Sequence, residues 1–265
     1  MVFILSKLYC ISDIHGSYEA FSRAINFLRN EKNVDFSVDK LVLLGDYVDR
    51  GPQSREVLEK IIKMRQEYGK SQIIALLGNH EVMFKNWLKN SYDYLSLHNG
   101  GLETILSFIG DYFCLDGKNL VYDGVGHLFN ALYQDKTKDV VGYIYQNCSD
   151  ILDFLFNELE LYYEDGNTLF VHAGFDETPG KHWSESSESD IVWMYPAQHG
   201  ATPCGKKVVA GHIMTRELHD SDGIFRSVDH IYIDGGAVLT GSVNILMVDT
   251  KEDKYFDAWT GKEII

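Results

Sequence analysis

The sequence is poor in cysteine, and its few cysteines are scattered. There are four in 265 residues, at positions Cys10, Cys114, Cys148 and Cys204. None of them stands in a Cys-x-x-Cys pair, so neither a zinc ribbon nor a disulfide framework is indicated. We therefore expect reduced thiols and a cytoplasmic location.

The chain also lacks a long apolar run. The apolar opening MVFIL is short, has no basic residue before it and is followed closely by Lys7, which argues against a signal peptide. No run approaches the roughly 20 apolar residues that a transmembrane helix needs. We expect neither a leader peptide nor a membrane partner.

Basic residues are scarce as well. Lys and Arg together number 24 against 39 Asp and Glu, which gives a formal net charge of −15. Such a surface repels the phosphates of nucleic acid, so nucleic acid is not an expected partner. A local pocket that is basic or filled with metal can still take an anionic substrate.

Apolar residues, by contrast, are plentiful. The hydrophobic fraction of 45% is enough for a sizeable core. No linker, internal repeat or low-complexity tract divides the chain. We predict a single domain over residues 1–265.

The first 80 residues repeat one pattern: a short apolar strand, a polar loop and an amphipathic helix. Strands are predicted at Lys7–Ser12, Leu41–Leu44 and Gln72–Leu77, and helices at Tyr18–Asn30 and Ser54–Tyr68. The run LVLL shows no alternation, which is typical of a parallel strand buried on both faces. Such units predict a mainly parallel sheet whose ligands gather at the carboxyl ends of its strands.

The pattern changes between residues 82 and 165. A helical insertion is predicted there from three segments, Met83–Lys89, Leu102–Phe108 and Ser149–Tyr162. Strand patterns then return in four segments, Thr168–Val171, Lys207–Ala210, His230–Ile233 and Val243–Val248. A glycine-rich segment joins the last two, which predicts a hairpin and with it a second, mixed or antiparallel sheet.

Polar residues follow five of the predicted strands. They are Asp13 with His15, Asp46, Asn79 with His80, His172, and His212. Each alone could cap a turn or a helix, but packing does not call for a histidine after each of two late apolar strands, so together they predict a metal site. Imidazole, carboxylate and amide ligands without thiolate favour manganese, iron or zinc over a structural cysteine zinc site or an all-oxygen calcium site.

The loop after the second strand carries Asp46, Asp49 and Arg50 within five residues. The two carboxylates could hold a cation, while the guanidinium fits phosphate bidentately. A solvated turn with an ion pair is the alternative, because turns are rich in Asp and Gly.

The motifs DIHG, GDYVDRG, GNHE, HAG and GH occur in this order over residues 13–212. This set resembles the metallophosphoesterase signature of the PPP-type serine/threonine protein phosphatases. Bacterial and phage-type members are the most similar, since GDYVDRGP and GNHE are followed here by Asn99, Gly100 and Gly101, and the segment Ile233–Ala237 is also similar to the family. The resemblance implies an α/β (α+β) fold, a two-sheet calcineurin-like sandwich flanked by helices, with a helical insertion.

The resemblance also implies a dinuclear metal centre. One ion would be held by Asp13 and His15 and the other by Asn79, His172 and His212, with Asp46 as the bridge between them. Manganese is the expected metal, with iron or zinc as alternatives. Two neighbouring cations lower the pKa of a shared water and neutralise the oxygens of an in-line displacement.

For catalysis, the resemblance implies that His80 protonates the leaving oxygen and that Asp49 orients it. Arg50 would grip the phosphate, and Asn79 and His80 would also contact the substrate. A protonated histidine suits this task because an alkoxide leaves poorly without a proton, and such acid catalysis contributes about a hundred- to ten-thousand-fold.

One position departs from that family. Related phosphatases usually carry a second phosphate-gripping arginine between HAG and GH, often just after a tryptophan, but here Trp193 is followed by Met194, Tyr195 and Pro196. Arg216 is a candidate substitute, although an exposed arginine commonly belongs to the solvated surface. The departure bears on substrate choice more than on metal chemistry.

The sequence thus predicts a metal-dependent phosphomonoesterase, a serine/threonine-type protein phosphatase that attacks a phosphoprotein or small phosphate ester with a metal-bridging hydroxide. A nucleotide hydrolase of the diadenosine tetraphosphatase type is the alternative. Those hydrolases tend to lack the second acid of GDxxDRG and to have GNHD, whereas Asp49 and Glu81 are present here. A binding module without catalysis could lose Asp46, Asp49 or His80, yet all three are intact.

Overall fold

The computed structural model describes residues 7–90, 99–109, 114–115, 118–119, 137–195 and 200–264. Two five-stranded sheets and a two-stranded ribbon occur in this part of the chain. None of the helices formed by these residues has the length and apolar character that a membrane span requires.

The strands of the described residues are short. In chain order they are β1 (Leu8–Ile11), β2 (Lys40–Leu43), β3 (Ile73–Ala75), β4 (Cys114–Leu115), β5 (Lys118–Asn119), β6 (Tyr162–Asp165), β7 (Thr168–Val171), β8 (Lys207–Met214), β9 (Phe225–Ser227), β10 (His230–Asp234), β11 (Leu246–Asp249) and β12 (Lys254–Asp257). The ribbon pairs β4 with β5.

The helices vary more in length. They are α1 (Tyr18–Asn30), α2 (Ser54–Tyr68), α3 (Asn79–Asn90), α4 (Gly101–Ile109), α5 (Thr137–Asn147), α6 (Ser149–Asp153), α7 (Glu188–Trp193) and α8 (Ala237–Thr240). A π-helical turn, Phe154–Glu158, follows α6 directly.

The first sheet has the order β12-β11-β1-β2-β3. Its strands β1, β2 and β3 are parallel, with Cys10 opposite Val42 and Val42 opposite Ile74. The predicted helices α1 and α2 are confirmed, and both bury their apolar stripe, which includes Phe21 and Ile25 in α1 and Leu58 and Ile61 in α2. The carboxyl ends of the three parallel strands therefore lie at one edge.

The second sheet has the order β6-β7-β8-β10-β9, with β7, β8 and β10 parallel and the outer strands antiparallel. Val42 and Leu44 pack with Phe170 and Val209 of this sheet, whereas Leu41 and its neighbours on the other face pack with the helices. The absence of alternation in LVLL thus reflects burial on both faces. The predicted sandwich of two sheets with flanking helices is confirmed.

The predicted hairpin of the last two strands is wrong. β10 lies beside β8 in the second sheet, while β11 pairs with β1 in the first. The chain crosses between the sheets through α8, whose flanking residues Gly236 and Gly241 are both left-handed. A short apolar strand fits either sheet equally well, and its pairing partner leaves no mark in its own sequence.

Residues 82–165 contain the predicted helices in part. Met83–Lys89 lies within α3 and Leu102–Phe108 within α4. The third segment, Ser149–Tyr162, gives α6 and the π-helical turn, but the helical structure ends at Glu158 and Tyr162 begins β6. Phe84 of α3 packs against Phe108 of α4, with ring centroids 5.2 Å apart. The single domain and the insertion boundaries stay predictions, and residues 91–98, 110–113, 116–117 and 120–136 lie outside the described part.

Candidate active site

The predicted site residues come together at the carboxyl ends of β1, β2, β3 and β7 and in the last part of β8, which contains His212. Parallel strands place the loops after them at the same edge of a sheet, and the two sheets present these edges side by side. Seven of the nine side chains are at most 3% exposed; they are Asp13, His15, Asp46, Asp49, Asn79, His80 and His172. His212 is half-buried and Arg50 is exposed, so the cluster opens to solvent on their side.

The backbone of the site is strained. Six of these residues have a positive φ, between 46° and 71°, namely Asp13, His15, Asp46, Asp49, Arg50 and His212. Such a conformation costs a non-glycine residue about 1–3 kcal/mol and clusters at functional sites. Local propensity opposes this arrangement, so surrounding contacts must hold it.

Asp46 lies at the centre of two groups of potential ligands. One group contains His15, Asp46 and His80, and the other contains Asp46, His172 and His212. The carboxylate is 3.5 Å from His15 Nε2 through Oδ2 and 3.4 Å from His172 Nε2 through Oδ1. Its two oxygens thus face different imidazoles, the geometry that a bridging ligand requires.

Two backbone carbonyls fix the imidazole tautomers. Nδ1 of His15 donates to Val48 O and Nδ1 of His172 donates to Leu44 O, each over 2.8 Å. In the tautomer that this bond selects, the lone pair of each ring is on Nε2, facing the cluster. A hydrogen bond of this kind, from the second ring nitrogen to a carbonyl, orients metal-binding histidines.

The Asn79 side chain meets several acceptors at once. Its oxygen lies 2.8 Å from His172 Nε2 and 3.2 Å from His212 Nδ1. Turned over, the amide nitrogen would donate to these nitrogens and to Asp46. With the oxygen on this side, it faces the Nε2 lone pair of His172 and the Asp46 carboxylate, and such a set of ligand atoms suits a divalent cation.

Burial and charge separate the histidines into two kinds. Burial lowers the pKa of His15 well below its usual value, and burial with nearby His172 lowers the pKa of His212 to about 4. Burial also acts to lower the pKa of His80, but the carboxylates Asp46 and Asp49 outweigh it, so this pKa is raised. Histidines whose pKa values differ in this way suit different roles. A neutral ring can ligate a metal ion, and a protonated ring can act as an acid.

His80 forms a close pair with Asp49. Its Nδ1 donates to Asp49 Oδ2 over 2.7 Å, and Nε2 lies 3.4 Å from the Arg50 guanidinium and 3.8 Å from Asp46 Oδ2. The ring is held at one nitrogen and points the other toward Arg50 and the ligand groups.

Asp13 lies next to the ligand groups but outside both. Its carboxylate oxygens accept the His212 backbone N–H at 3.1 and 3.0 Å, and Oδ1 is 4.0 Å from His15 Nε2. Buried Asp234, at the end of β10, was not among the predicted residues, although it lies in the segment Ile233–Ala237 that is similar to the family. The pKa of Asp234 is raised, mainly by burial and then by the charge of Asp13.

Two further residues that sequence reasoning missed support the site. Glu81 accepts four backbone N–H groups: its Oε2 from Asp46 and Gly78, its Oε1 from Tyr47 and Val48. Glu81 is the last residue of the GNHE motif, so the motif marks its position. The motif does not show which groups the carboxylate contacts. Gly78 is required beside it, because a Cβ would lie 2.2 Å from Asp46 Oδ1.

Thr104 of α4 is the second. Its hydroxyl accepts from Asp49 N over 2.8 Å and donates to Asp49 Oδ1 over 2.9 Å, and Ser54 Oγ lies 2.9 Å from it. No local motif marks Thr104, which reaches the site only through the packing of α4 on α2.

Arg216 does not point to the cluster as a substitute for the missing arginine. Its Nε donates to Asp222 Oδ1 over 2.5 Å, and both side chains are 42% exposed. At the position after β7 where an arginine was expected, the structure presents the exposed rings of Trp193 and Tyr195.

The sequence profile of calcineurin-like phosphoesterases matches residues 6–231. The chain belongs to this family. Its members normally bind two divalent metal ions, and the acceptor set around Asp46 fits such ions. Membership of this family thus identifies the scaffold as that of a phosphoester hydrolase, but it does not identify the substrate.

Two relatives in other organisms carry the same name. A symmetrical bis(5'-nucleosyl)-tetraphosphatase from Paracidovorax citrulli is 44% identical over 77 residues, 28% of this chain and 24% of that protein. The chain matches this relative and two others of the same name over only about a quarter of their own length. The enzyme of the same name from Nitrosococcus oceani is 25% identical over 291 residues, which cover 94% of this chain and 95% of that protein.

A solved structure of a protein serine/threonine phosphatase from Saccharomyces cerevisiae superposes with a TM-score of 0.53 at 14% identity. The superposition covers 93% of this chain and 73% of that one. At this identity, the likeness supports the shared fold alone.

Replacing Thr104 tests its support of Asp49. We expect Thr104→Val to lower the free energy of unfolding by about 1–3 kcal/mol, because Asp49 and Ser54 lose a buried hydroxyl partner at unchanged side-chain shape. Thr104→Ser keeps the hydroxyl and serves as the control. Urea unfolding of both variants measures the effect, and a valine variant as stable as the native protein would show that the hydroxyl contributes nothing.

Proposed function

We propose that the chain hydrolyses phosphate monoesters with two divalent metal ions, as a serine/threonine-type protein phosphatase acting on phosphoproteins or small phosphate esters. One observation supports this most: two ligand groups share Asp46 directly beside the His80–Asp49 pair. A protein that bound metal without catalysis would not need the His80–Asp49 pair. An ion pair with a purely structural role would not need the ligand groups beside it.

The metal ions would be held by residues on both sides of Asp46. Asp13 and His15 would hold one, Asn79, His172 and His212 the other, and manganese, iron and zinc all suit these donors. When bound, the ions would supply positive charge that polarises the phosphate and activates a water molecule. The neutral state of His15 and His212 suits this role, because a ligand imidazole must be unprotonated.

His80 would act as the general acid. It belongs to one ligand group by distance, but its raised pKa favours the protonated ring, which cannot ligate a metal. Its Nε2 would give its proton to the leaving oxygen, while Asp49, itself fixed by Thr104, holds Nδ1. Arg50 would bind the phosphate through its exposed guanidinium.

Hydrolysis of dinucleoside tetraphosphates is the second candidate. The names of the relatives from Paracidovorax citrulli and Nitrosococcus oceani favour it. The leaving group of such a substrate is a phosphate chain, which is already stable as an anion at neutral pH, whereas a serine alkoxide needs a proton. The preserved His80–Asp49 pair therefore supports a monoester over an anhydride.

Turnover of matched substrates tests the proposal. We expect purified protein loaded with Mn²⁺ to hydrolyse p-nitrophenyl phosphate and to cleave a phosphopeptide faster than diadenosine tetraphosphate. Metal content and kcat/KM for each substrate are the measurements. Protein that binds no transition metal and leaves p-nitrophenyl phosphate intact contradicts the proposed function, and faster turnover of the dinucleotide reverses the order of the two candidates.

His80→Asn tests the acid. We expect kcat for an alkyl phosphate to fall by about 10²–10⁴, because the leaving alkoxide is no longer protonated, while metal content by atomic absorption is retained. His182→Asn, at an exposed histidine, is the control and should leave kcat unchanged. Loss of metal from the His80 variant would instead make His80 a ligand.

The pH dependence of Asp49→Asn tests the pairing. Since the pKa of His80 is raised, its acid form persists to higher pH, and kcat falls as pH rises through that pKa. Loss of the Asp49 charge lowers this pKa, so we expect the alkaline limb of the kcat profile to move down by about one pH unit or more. Asp165→Asn, whose partner is Lys40 at the opposite ends of the strands, is the control. An unmoved limb would show that Asp49 does not set the pKa of the acid.

A further inference from the structure

Residues 99–101, Asn-Gly-Gly, lead into α4, and the middle one lies against the loop that carries Arg50. A Cβ at Gly100 would lie 2.1 Å from Arg50 N and 2.4 Å from Arg50 Cα, closer than a Cβ comes to backbone atoms. The φ of Gly100 is +77°, a conformation that other residues rarely adopt. Glycine is therefore required for this approach of the chain to Arg50.

A second contact holds the backbone next to Arg50. The N–H of Gly51 donates to His15 O over 2.9 Å, which ties the end of the loop to the residues after β1. Arg50 itself has a positive φ of 65°. Since such a backbone persists only where neighbouring atoms enforce it, the contacts of Gly51 and Gly100 determine where the Arg50 side chain starts.

Asn99 ties the same segment to the helix that carries the general acid. Its Nδ2 donates to Met83 Sδ over 3.6 Å, and Met83 lies on α3, whose second residue is His80. The Arg50 guanidinium lies 3.4 Å from His80 Nε2. Residues 99–101 thus connect the helix of the acid with the backbone of the phosphate-binding arginine.

Thr104 of α4 makes a different contact with the same loop. Its hydroxyl is bonded to the N–H and to Oδ1 of Asp49, and so supports the partner of the acid. Gly100 instead lies against the backbone of Arg50, which has no part in that pair. The chain at the start of α4 therefore meets two neighbouring loop residues at separate points.

Arg50 has no substitute among the predicted site residues. Arg216 is paired with Asp222, and Met194 stands where a second arginine was expected. Within the described part of the chain, Arg50 is the only predicted site residue with a permanent positive charge. Its placement matters accordingly, because a shift of about 1 Å in a substrate-positioning group costs up to about a hundredfold in rate.

We propose that Gly100 is a positioning residue for phosphate binding, which holds the Arg50 backbone so that the guanidinium meets the phosphate of the substrate. The proposal rests on the proposed function and adds a residue to its phosphate-binding machinery. Gly100 acts through Arg50, whereas Thr104 acts through Asp49 and His80. The two contacts therefore affect different quantities: Gly100 affects substrate affinity, and Thr104 affects the acid.

Gly100→Ala tests this role in the Mn²⁺-loaded protein. We expect KM for an alkyl phosphate, and the Kd of inorganic phosphate in calorimetry, to rise about tenfold or more, because the added Cβ displaces Arg50. The alkaline limb of the kcat profile should stay in place, since His80 and Asp49 keep their contacts. Gly205→Ala should change none of these values. It is the matched control, because Gly205 has a similar φ of +70° and no described atom within 4 Å of a Cβ.

A double mutant isolates the route through Arg50. In an Arg50→Ala background, we expect Gly100→Ala to raise the Kd of phosphate no further, because the residue that it positions has lost its guanidinium. A further rise of similar size in that background would overturn the proposal. So would an unchanged Kd in a folded Gly100→Ala protein, or a shift of its alkaline limb.

Asn99→Ala gives a milder change that does not depend on the folding of the Gly100 variant. It removes the bond to Met83 Sδ, so we expect a smaller rise in the Kd of phosphate that disappears in the Arg50→Ala background. A rise that persists there would contradict the route through Arg50. Native protein that binds phosphate but turns over no substrate would count against the proposed function alone, and the Kd values would still decide the role of Gly100.

Discussion

The buried carboxylate of Glu81 is the contact on which the site depends. It accepts backbone N–H groups from the loop after β2 and from Gly78 after β3, and so ties these two loops together. Burial raises the pKa of Glu81, while these bonds act in the opposite direction and favour its charge. They also offset the left-handed backbone of Asp46, Asp49 and Arg50, which a free loop would relax. The position of the Asp46 backbone relative to the loop after β3 follows from this fastening.

Much of the site could be predicted from sequence because most of its residues directly follow strands that are parallel to one another. Residues after β1, β2 and β3 must share an edge once the strands are known to be parallel. The unbroken apolar run Leu41–Leu44 revealed that arrangement, since both of its faces are covered. The same reasoning placed His172 and His212, although they lie in the other sheet, because β7 and β8 are parallel too.

The pairing of β11 and the role of Thr104 could not be predicted, because both depend on contacts between residues that belong to no recognisable sequence motif. Strand β11 is short and apolar, and nothing in it distinguishes pairing with β1 from pairing with β10. Thr104 is one threonine in an amphipathic helix, and its bonds to Asp49 arise only when α4 packs on α2. Long-range packing decided both cases, and local propensity carries no information about it.

The distribution of charge limits which phosphates this site can favour. Burial raises the pKa of Asp46 and of Asp234, which disfavours negative charge on these two buried acids, and the Arg50 guanidinium is exposed. With a net charge of −15, attraction for an anion must come over a short range, from bound cations and from Arg50. A substrate with charges spread along a phosphate chain places some of them beyond that range, against an acidic surface. A monoester would keep its whole charge within the range of such bound cations, so the charge distribution agrees with the proposed monoester substrate.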